Sequence, residues 1–281
     1  MMLINGIVTD LLPASDRGLQ YGDGLFETIA VVGGEPQLWA AHMARLTTGC
    51  DALQLPRVAH ELLLREARQL CVKHKKTILK IIITRGSDGR GYRFPENVAA
   101  TRLLSVHPWP DYPPAHYQHG IAAMVCDTRL ASYSALAGIK HLNRLEQVLA
   151  RNEWRGDDIH EGLMLDHHGN VIEGTMSNLF IIEGDTLITP QLNECGIRGV
   201  MRETVLAQAA QLDITTRIET VSLARLKAAS ACFVTNSIIG LWPLRTLDDI
   251  TYQPAKVTQE LIQDLIRALS ERRLITAVIW R

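Results

Sequence analysis

The chain has 281 residues, 47% of them hydrophobic and 21% charged, which is enough apolar material for one large or two modest domains. Its 29 Lys and Arg nearly balance 30 Asp and Glu, so no global field favours nucleic acid or an acidic membrane surface. Five widely spaced cysteines without a CxxC or Cys/His cluster argue against structural zinc and a disulfide framework, and the apolar runs are too short to span a bilayer. The N-terminus, Met1 to Gly6, lacks a basic stretch followed by an apolar core and does not read as a signal peptide, so a cytoplasmic globular protein is expected.

In chain order, residues 2–9 and 25–33 alternate or run apolar with β-branched content, and Gly33-Gly34 adds the chemistry of a hairpin turn. Residues 38–53 and 57–74 repeat apolar positions at helical spacing. Thr77 to Thr84, with Ile at 78, 81, 82 and 83, reads as a buried strand, and Leu103 to Val106 as its partner. Residues 107–119 hold four prolines and no sustained pattern, and are the expected linker. Beyond it the pattern predicts strands at 120–127, 162–166, 171–173, 179–182, 186–188, 214–220 and 231–235. Helices are expected after Lys140, from Gly199 to about Gln211, and over 255–272. Strands and helices interleave without a regular βαβ beat, which favours two α+β domains: residues 1–106 and a larger 120–281.

Several segments offer chemistry. Lys140 stands at the mouth of an element whose Leu142, Leu145, Val148 and Leu149 are spaced to bury one face; partial desolvation there would leave a nucleophilic amine, against the simpler reading of a helix-end lysine. Glu173 leaves an apolar strand beside Gly174, Thr175 and Ser177, and is either a hairpin glutamate or a carboxylate reaching into a cleft. Against a pyridinium nitrogen it would keep that nitrogen protonated. Gly196 to Arg202 leads into a helix whose first amides form a potential anion site, Asn236-Ser237 offers an amide and a hydroxyl, and Arg45 a counter-charge. Thr84 to Tyr92 is a glycine-rich loop with two arginines and no P-loop spacing. His167-His168 lacks a third metal ligand with suitable spacing, no GxSxG is present, and the aromatics do not interleave with a basic stripe.

Six blocks, Tyr21 to Thr28, His42 to Leu46, Ala137 to Glu146, Glu173 to Phe180, Gly199 to Arg202 and Asn236-Ser237, together resemble, in order and over nearly the whole chain, the fold-type IV pyridoxal-phosphate enzymes. That family holds branched-chain and D-amino-acid aminotransferases and aminodeoxychorismate lyases. The resemblance implies a two-domain α+β fold, pyridoxal 5'-phosphate as cofactor and a homodimer. It implies Lys140 as the lysine joined to the cofactor's aldehyde carbon and Glu173 on the pyridine nitrogen. Arg45, the amides of Val200 and Met201, and Ser237 would take the phosphate, with Asn236 near the ring hydroxyl. Leu136 to Leu149 and Arg85 to Tyr92 are most similar to the lyase branch, as is Thr28 where branched-chain enzymes are expected to have glycine. The implied reaction converts 4-amino-4-deoxychorismate to 4-aminobenzoate and pyruvate, feeding folate synthesis. Lys140 would be the acid–base catalyst, Thr28 a proton relay, and Arg90 and Tyr92 substrate-binding residues. An aminotransferase on the same scaffold is the nearer alternative, and a cofactor-free binding protein the more distant one.

Overall fold

The computed structural model describes residues 1–87, 91–94, 98–253 and 256–271; Arg90 lies outside the described residues. The chain divides into two units, residues 1–110 with 139–143, and residues 111–138 with 144–281.

The first unit runs β1 (Met2–Ile4), β2 (Ile7–Val8), α1 (Arg17–Tyr21), β3 (Gly24–Val32), β4 (Glu35–Pro36), α2 (Trp39–Ala52), α3 (His60–Cys71), β5 (Lys76–Thr84) and β6 (Thr101–His107). Its six strands pair antiparallel in the order β2-β1-β6-β5-β3-β4, with the Gly33-Gly34 turn returning β3 into β4. Strand periodicity sorts the side chains. Leu25, Glu27, Ile29 and Val31 of β3 and Leu79, Ile81 and Ile83 of β5 are buried, and their apolar members pack with Met43, Leu46, Leu63 and Leu70 of α2 and α3. Phe26, Thr28, Lys80 and Ile82 alternate with them and are half-buried on the opposite face.

The segment Ile139–Asn143, expected inside the larger C-terminal domain, belongs instead to the first unit. The reason is backbone bonding to β3: Phe26 N–H donates to Lys140 O at 3.0 Å and Leu142 N–H to Gly24 O at 3.0 Å. Ile139, 7% exposed, joins the core of this unit.

The second unit runs α4 (Pro114–Gln118), β7 (Ile121–Leu130), α5 (Leu145–Arg151), β8 (Glu161–Asp166), β9 (Asn170–Gly174), β10 (Asn178–Glu183), β11 (Thr186–Pro190), α6 (Val200–Gln211), β12 (Thr216–Glu219), β13 (Val221–Ser222), α7 (Leu223–Ala228), β14 (Ala231–Asn236), β15 (Gly240–Leu247), β16 (Ile250–Thr251) and α8 (Lys256–Glu271). The strands form one mixed sheet in the order β12-β11-β10-β14-β15-β7-β8-β9-β13, with β16 on β15. A further pairing, Glu173 of β9 with Asn178 of β10, closes β10-β14-β15-β7-β8-β9 into a ring.

The boundary between the units, after Pro110, falls inside the expected linker, which nonetheless carries structure, and one strand went unexpected. Residues 107–119 are not a bare linker: His107 ends β6, and Pro114–Gln118 form α4, where Tyr112, His116 and Tyr117 surround Trp242 at ring-centroid distances of 4.7, 5.0 and 6.0 Å. β15 escapes the sequence pattern because Pro243 interrupts it; the ladder to β7 shifts register between Leu244 and Thr246, an irregularity of the kind that lets a strand carry proline.

Arg85, at the head of the glycine-rich loop, is 3% exposed and is a structural residue. It donates to both carboxylate oxygens of Asp23, at 2.8 and 3.1 Å, and to the carbonyls of Leu53 and Gln54, both at 2.7 Å. Replacing it with methionine leaves Asp23 with Arg17 alone, at 2.9 Å, and strands two carbonyls, so Arg85→Met is expected to lower unfolding free energy by about 2 kcal/mol, read from the urea midpoint.

Candidate active site

In the first unit the site begins on the open face of β3. Half-buried Lys140 places its Nζ 4.2 Å from the centroid of the Phe26 ring. Lys80 Nζ approaches the same ring at 5.6 Å, and Lys80 lies directly opposite Thr28 in the β3–β5 register. Lys140 and Thr28 are therefore gathered around Phe26, with a second ammonium that the sequence did not single out. Tyr92 is 86% exposed, its ring edge-on to Tyr21 at 5.6 Å, and the preceding Gly91 carbonyl accepts from Arg17 at 2.9 Å.

The inward face of β3 carries Glu27, 1% exposed, in line with the buried Leu25, Ile29 and Val31. A carboxylate there requires partners. Arg45 supplies a forked pair, Nε to Oε1 at 2.9 Å and Nη2 to Oε2 at 2.5 Å, and His42 Nδ1 lies 2.7 Å from Oε2. Burial opposes ionisation of Glu27, but Arg45 and His42 outweigh it and hold the carboxyl at about 2. Burial pushes the His42 imidazole down, so the neutral ring donates from Nδ1 and turns Nε2, buried and without a protein partner among the described residues, into an acceptor. Arg45 is thus oriented by Glu27 before any ligand arrives. The signal for Glu27 was present in the sequence: a carboxylate at an inward position of an alternating strand must be paired.

In the second unit Glu173 is 3% exposed at the end of β9. Its Oε2 accepts from Ile197 N–H at 2.8 Å and from Asn178 Nδ2 at 3.4 Å, while Asn178 Nδ2 also donates to Ile197 O at 2.8 Å. Asn178 therefore ties Glu173 to the loop that enters α6. That loop comes so close that a Cβ on Gly199 would collide with Asn178 Oδ1, which explains the glycine. Arg144, its own charge disfavoured by burial, lies in the field of Glu173 and Glu146. Among the described residues no side chain caps the N-terminus of α6, and the side chains of Val200 and Met201 are buried, so what these two residues can present is amide N–H.

Asn236 does more structural work than expected. Its Oδ1 accepts from Ile238 and Ile239 N–H at 2.8 and 2.9 Å, and its Nδ2 donates to Met176 O at 3.0 Å. The side chain shapes the turn that carries Ser237, which is half-buried, and ties that turn to the loop after Glu173.

The chain has known relatives. A profile of the family described as Amino-transferase class IV matches residues 24–247. The chain belongs to this family. It is 34% identical to an aminodeoxychorismate lyase of Vibrio harveyi over 93% of this chain and 98% of that one. The crystal structure of 4-amino-4-deoxychorismate lyase from Pseudomonas aeruginosa shares 43% identity, covers 95% of this chain and 98% of its own, and superposes with a TM-score of 0.90. A branched-chain-amino-acid aminotransferase of Escherichia coli K12 is 27% identical over 83% of this chain and 79% of its own.

Each unit by itself holds residue types that suit pyridoxal 5'-phosphate: the first an amine at Lys140, the second a fixed buried carboxylate at Glu173 and a helix N-terminus at Val200 with its amides uncapped by side chains. The Glu27 cluster is testable by acid. A folded-state value of about 2 against an ordinary 4.5 means that stability is present above pH 4.5 and is lost as pH falls toward 2. The difference is worth about 3 kcal/mol. Glu27→Gln should flatten the fall in unfolding free energy between pH 5 and pH 3 relative to wild type, measured by urea titration at each pH.

Proposed function

We propose that the protein is an aminodeoxychorismate lyase that uses pyridoxal 5'-phosphate to convert 4-amino-4-deoxychorismate to 4-aminobenzoate and pyruvate. The observation that carries this reading is the margin in similarity. The Pseudomonas and Vibrio lyases match at 43% and 34% over nearly full length, against 27% for the Escherichia coli K12 transaminase. Identity near 25% does not separate the activities, since a lyase of Bacillus subtilis matches at 25%. Thr28 on the Lys140 face of β3 supports the lyase branch, where that residue type is expected.

When bound, the cofactor supplies an electron sink for the carbanion left at substrate C4. Lys140 would hold the cofactor's aldehyde carbon, and its Nζ would take the C4 proton. Loss of that proton and cleavage of the C3–O bond aromatise the ring and release the enolpyruvyl group, which becomes pyruvate on gaining a proton at its methylene carbon. Thr28 Oγ1 relays a proton at that group. Glu173 holds the ring nitrogen, Arg45, Ser237 and the amides of Val200 and Met201 hold the phosphate, and Asn236 shapes the turn beneath Ser237. Arg90 and Tyr92 are assigned to substrate carboxylate binding. The enzyme acts in the cytoplasm, where its five free, buried cysteines would stay reduced, and as a homodimer, for which exposed Leu145, Val148 and Leu149 on one side of α5 offer an apolar surface.

Purified protein given aminodeoxychorismate should release pyruvate and 4-aminobenzoate in equal amounts, and Lys140→Ala should release neither. Thr28→Val should keep its cofactor and lose about a hundredfold in kcat. Rapid amino transfer from a D- or branched-chain amino acid, with no pyruvate from aminodeoxychorismate, would sink the lyase reading in favour of a transaminase.

A further inference from the structure

Where the ring of strands closes, the directly paired Glu173 and Asn178 are joined by four residues, Gly174-Thr175-Met176-Ser177, the first of which ends β9. Under this loop lies the carboxylate of Glu161, the first residue of β8, 1% exposed. Its Oε1 accepts from Thr175 N–H at 3.0 Å, Thr175 Oγ1 at 2.6 Å and Gly162 N–H at 3.0 Å; its Oε2 accepts from Ser177 Oγ at 2.6 Å. The Met176 amide adds a further donor. Among the described residues no cation forms an ion pair with it.

Burying a carboxylate without a cation costs several kcal/mol unless dipoles replace the lost water. Two hydroxyl contacts of 2.6 Å are in the range of charge-assisted hydrogen bonds. A four-residue hairpin loop has no need of such a group for its own closure. Gly174, next to Glu173, is paired with Leu163 and donates its N–H to Ser177 O at 2.7 Å, and Glu161 packs directly on it: a Cβ there would sit 2.7 Å from Glu161 Cδ. The same loop reaches the Ser237 turn through Asn236 Nδ2 on Met176 O.

We infer that Glu161 is a positioning residue: its caged carboxylate clamps the Gly174–Ser177 loop, sets the direction of the Glu173 side chain, and thereby governs how firmly the cofactor's ring nitrogen is held. The inference rests on the reading of Glu173 as the ring-nitrogen partner. It predicts that the number of loop donors, rather than the bulk of the side chain, determines the effect. In Glu161→Gln the amide side chain would keep an oxygen for the N–H groups of Thr175 and Gly162, and its NH2 would donate to a rotated Ser177 hydroxyl.

The test compares wild-type holoenzyme with Glu161→Ala, Glu161→Gln and the double variant Thr175→Val, Ser177→Ala, which leaves the carboxylate in place but strips its hydroxyl donors. Two readouts independent of turnover are the dissociation constant for pyridoxal 5'-phosphate and the pH midpoint of the visible absorbance of the lysine-bound cofactor. Glu161→Ala and the double variant should bind the cofactor about tenfold more weakly, as loss of a supporting partner does elsewhere, and both should shift the pH midpoint, with Glu161→Gln recovering most of each effect. A folded double variant with wild-type affinity and midpoint overturns the inference, as does a glutamine variant no better than alanine. If Glu161→Ala does not fold, the double variant decides. Wild-type protein that takes up no pyridoxal phosphate would be a separate result, overturning the reading of the site itself and this inference with it.

Discussion

Two backbone hydrogen bonds, from Phe26 N–H to Lys140 O and from Leu142 N–H to Gly24 O, decide where Lys140 stands. They make five residues, Ile139–Asn143, an accessory to β3 rather than the start of a helix, and α5 begins only at Leu145. With the main chain fixed, the position of the amine is left to the rotors of one side chain. The Phe26 ring, 4.2 Å from Nζ, supplies an orienting attraction of about 0.5–2 kcal/mol. Strand alternation then sets the rest of the neighbourhood. Thr28 must share the face of Phe26, Lys80 must face Thr28, and Glu27 must turn the other way into the core.

Three buried glutamates face the same cost and meet it in three ways. Glu27 has cationic and imidazole partners and is held firmly ionised, so its effect is to fix Arg45. Glu173 accepts from the Ile197 amide and the Asn178 side chain and lies in the field of Arg144, so neutral donors and a cation share in holding it. Glu161 relies on hydroxyls and amides, and burial pushes its carboxyl up. Partner type matches role in each case. Cations lock a charge into the scaffold, whereas neutral donors hold a loop in shape without cancelling the field around it.

Much of the fold could be read from pattern because pattern is what burial leaves in a sequence. Thr77 to Thr84 is an apolar run since its inward residues meet α2 and α3, and Gly199 marks the start of α6 because nothing larger clears Asn178. What stayed hidden depended on partners distant in the chain. β15 is a strand because β14 and β7 flank it, a context that outweighs Pro243. Lys140 groups with β3 through main-chain bonds that no side-chain pattern records. Glu161 resembles any glutamate that opens a strand until Thr175 and Ser177 fold over it. The turn-forming bonds of Asn236 to Ile238 and Ile239 stayed hidden as well, because an amide beside a hydroxyl looks the same in either role.

The choice between elimination and amino transfer belongs to a different set of residues from those that hold the cofactor. The Escherichia coli branched-chain aminotransferase structure superposes with a TM-score of 0.82 at 24% identity, so the fold alone admits more than one family activity. On the proposed reading, both reactions would begin with proton removal by Lys140 and part company only in what leaves. A device that selects the leaving group must therefore lie near the lysine and differ in chemistry from its counterpart in a transaminase. On the face that carries Phe26, the hydroxyl of Thr28 and the ammonium of Lys80 stand side by side, a proton donor beside a fixed charge. A departing enolpyruvyl group carries a carboxylate and requires a proton, and an amino acid undergoing transfer presents no such leaving group. On the proposed reading, the cofactor-holding residues would make carbanion chemistry available, and the short row across β3 and β5 would decide its outcome.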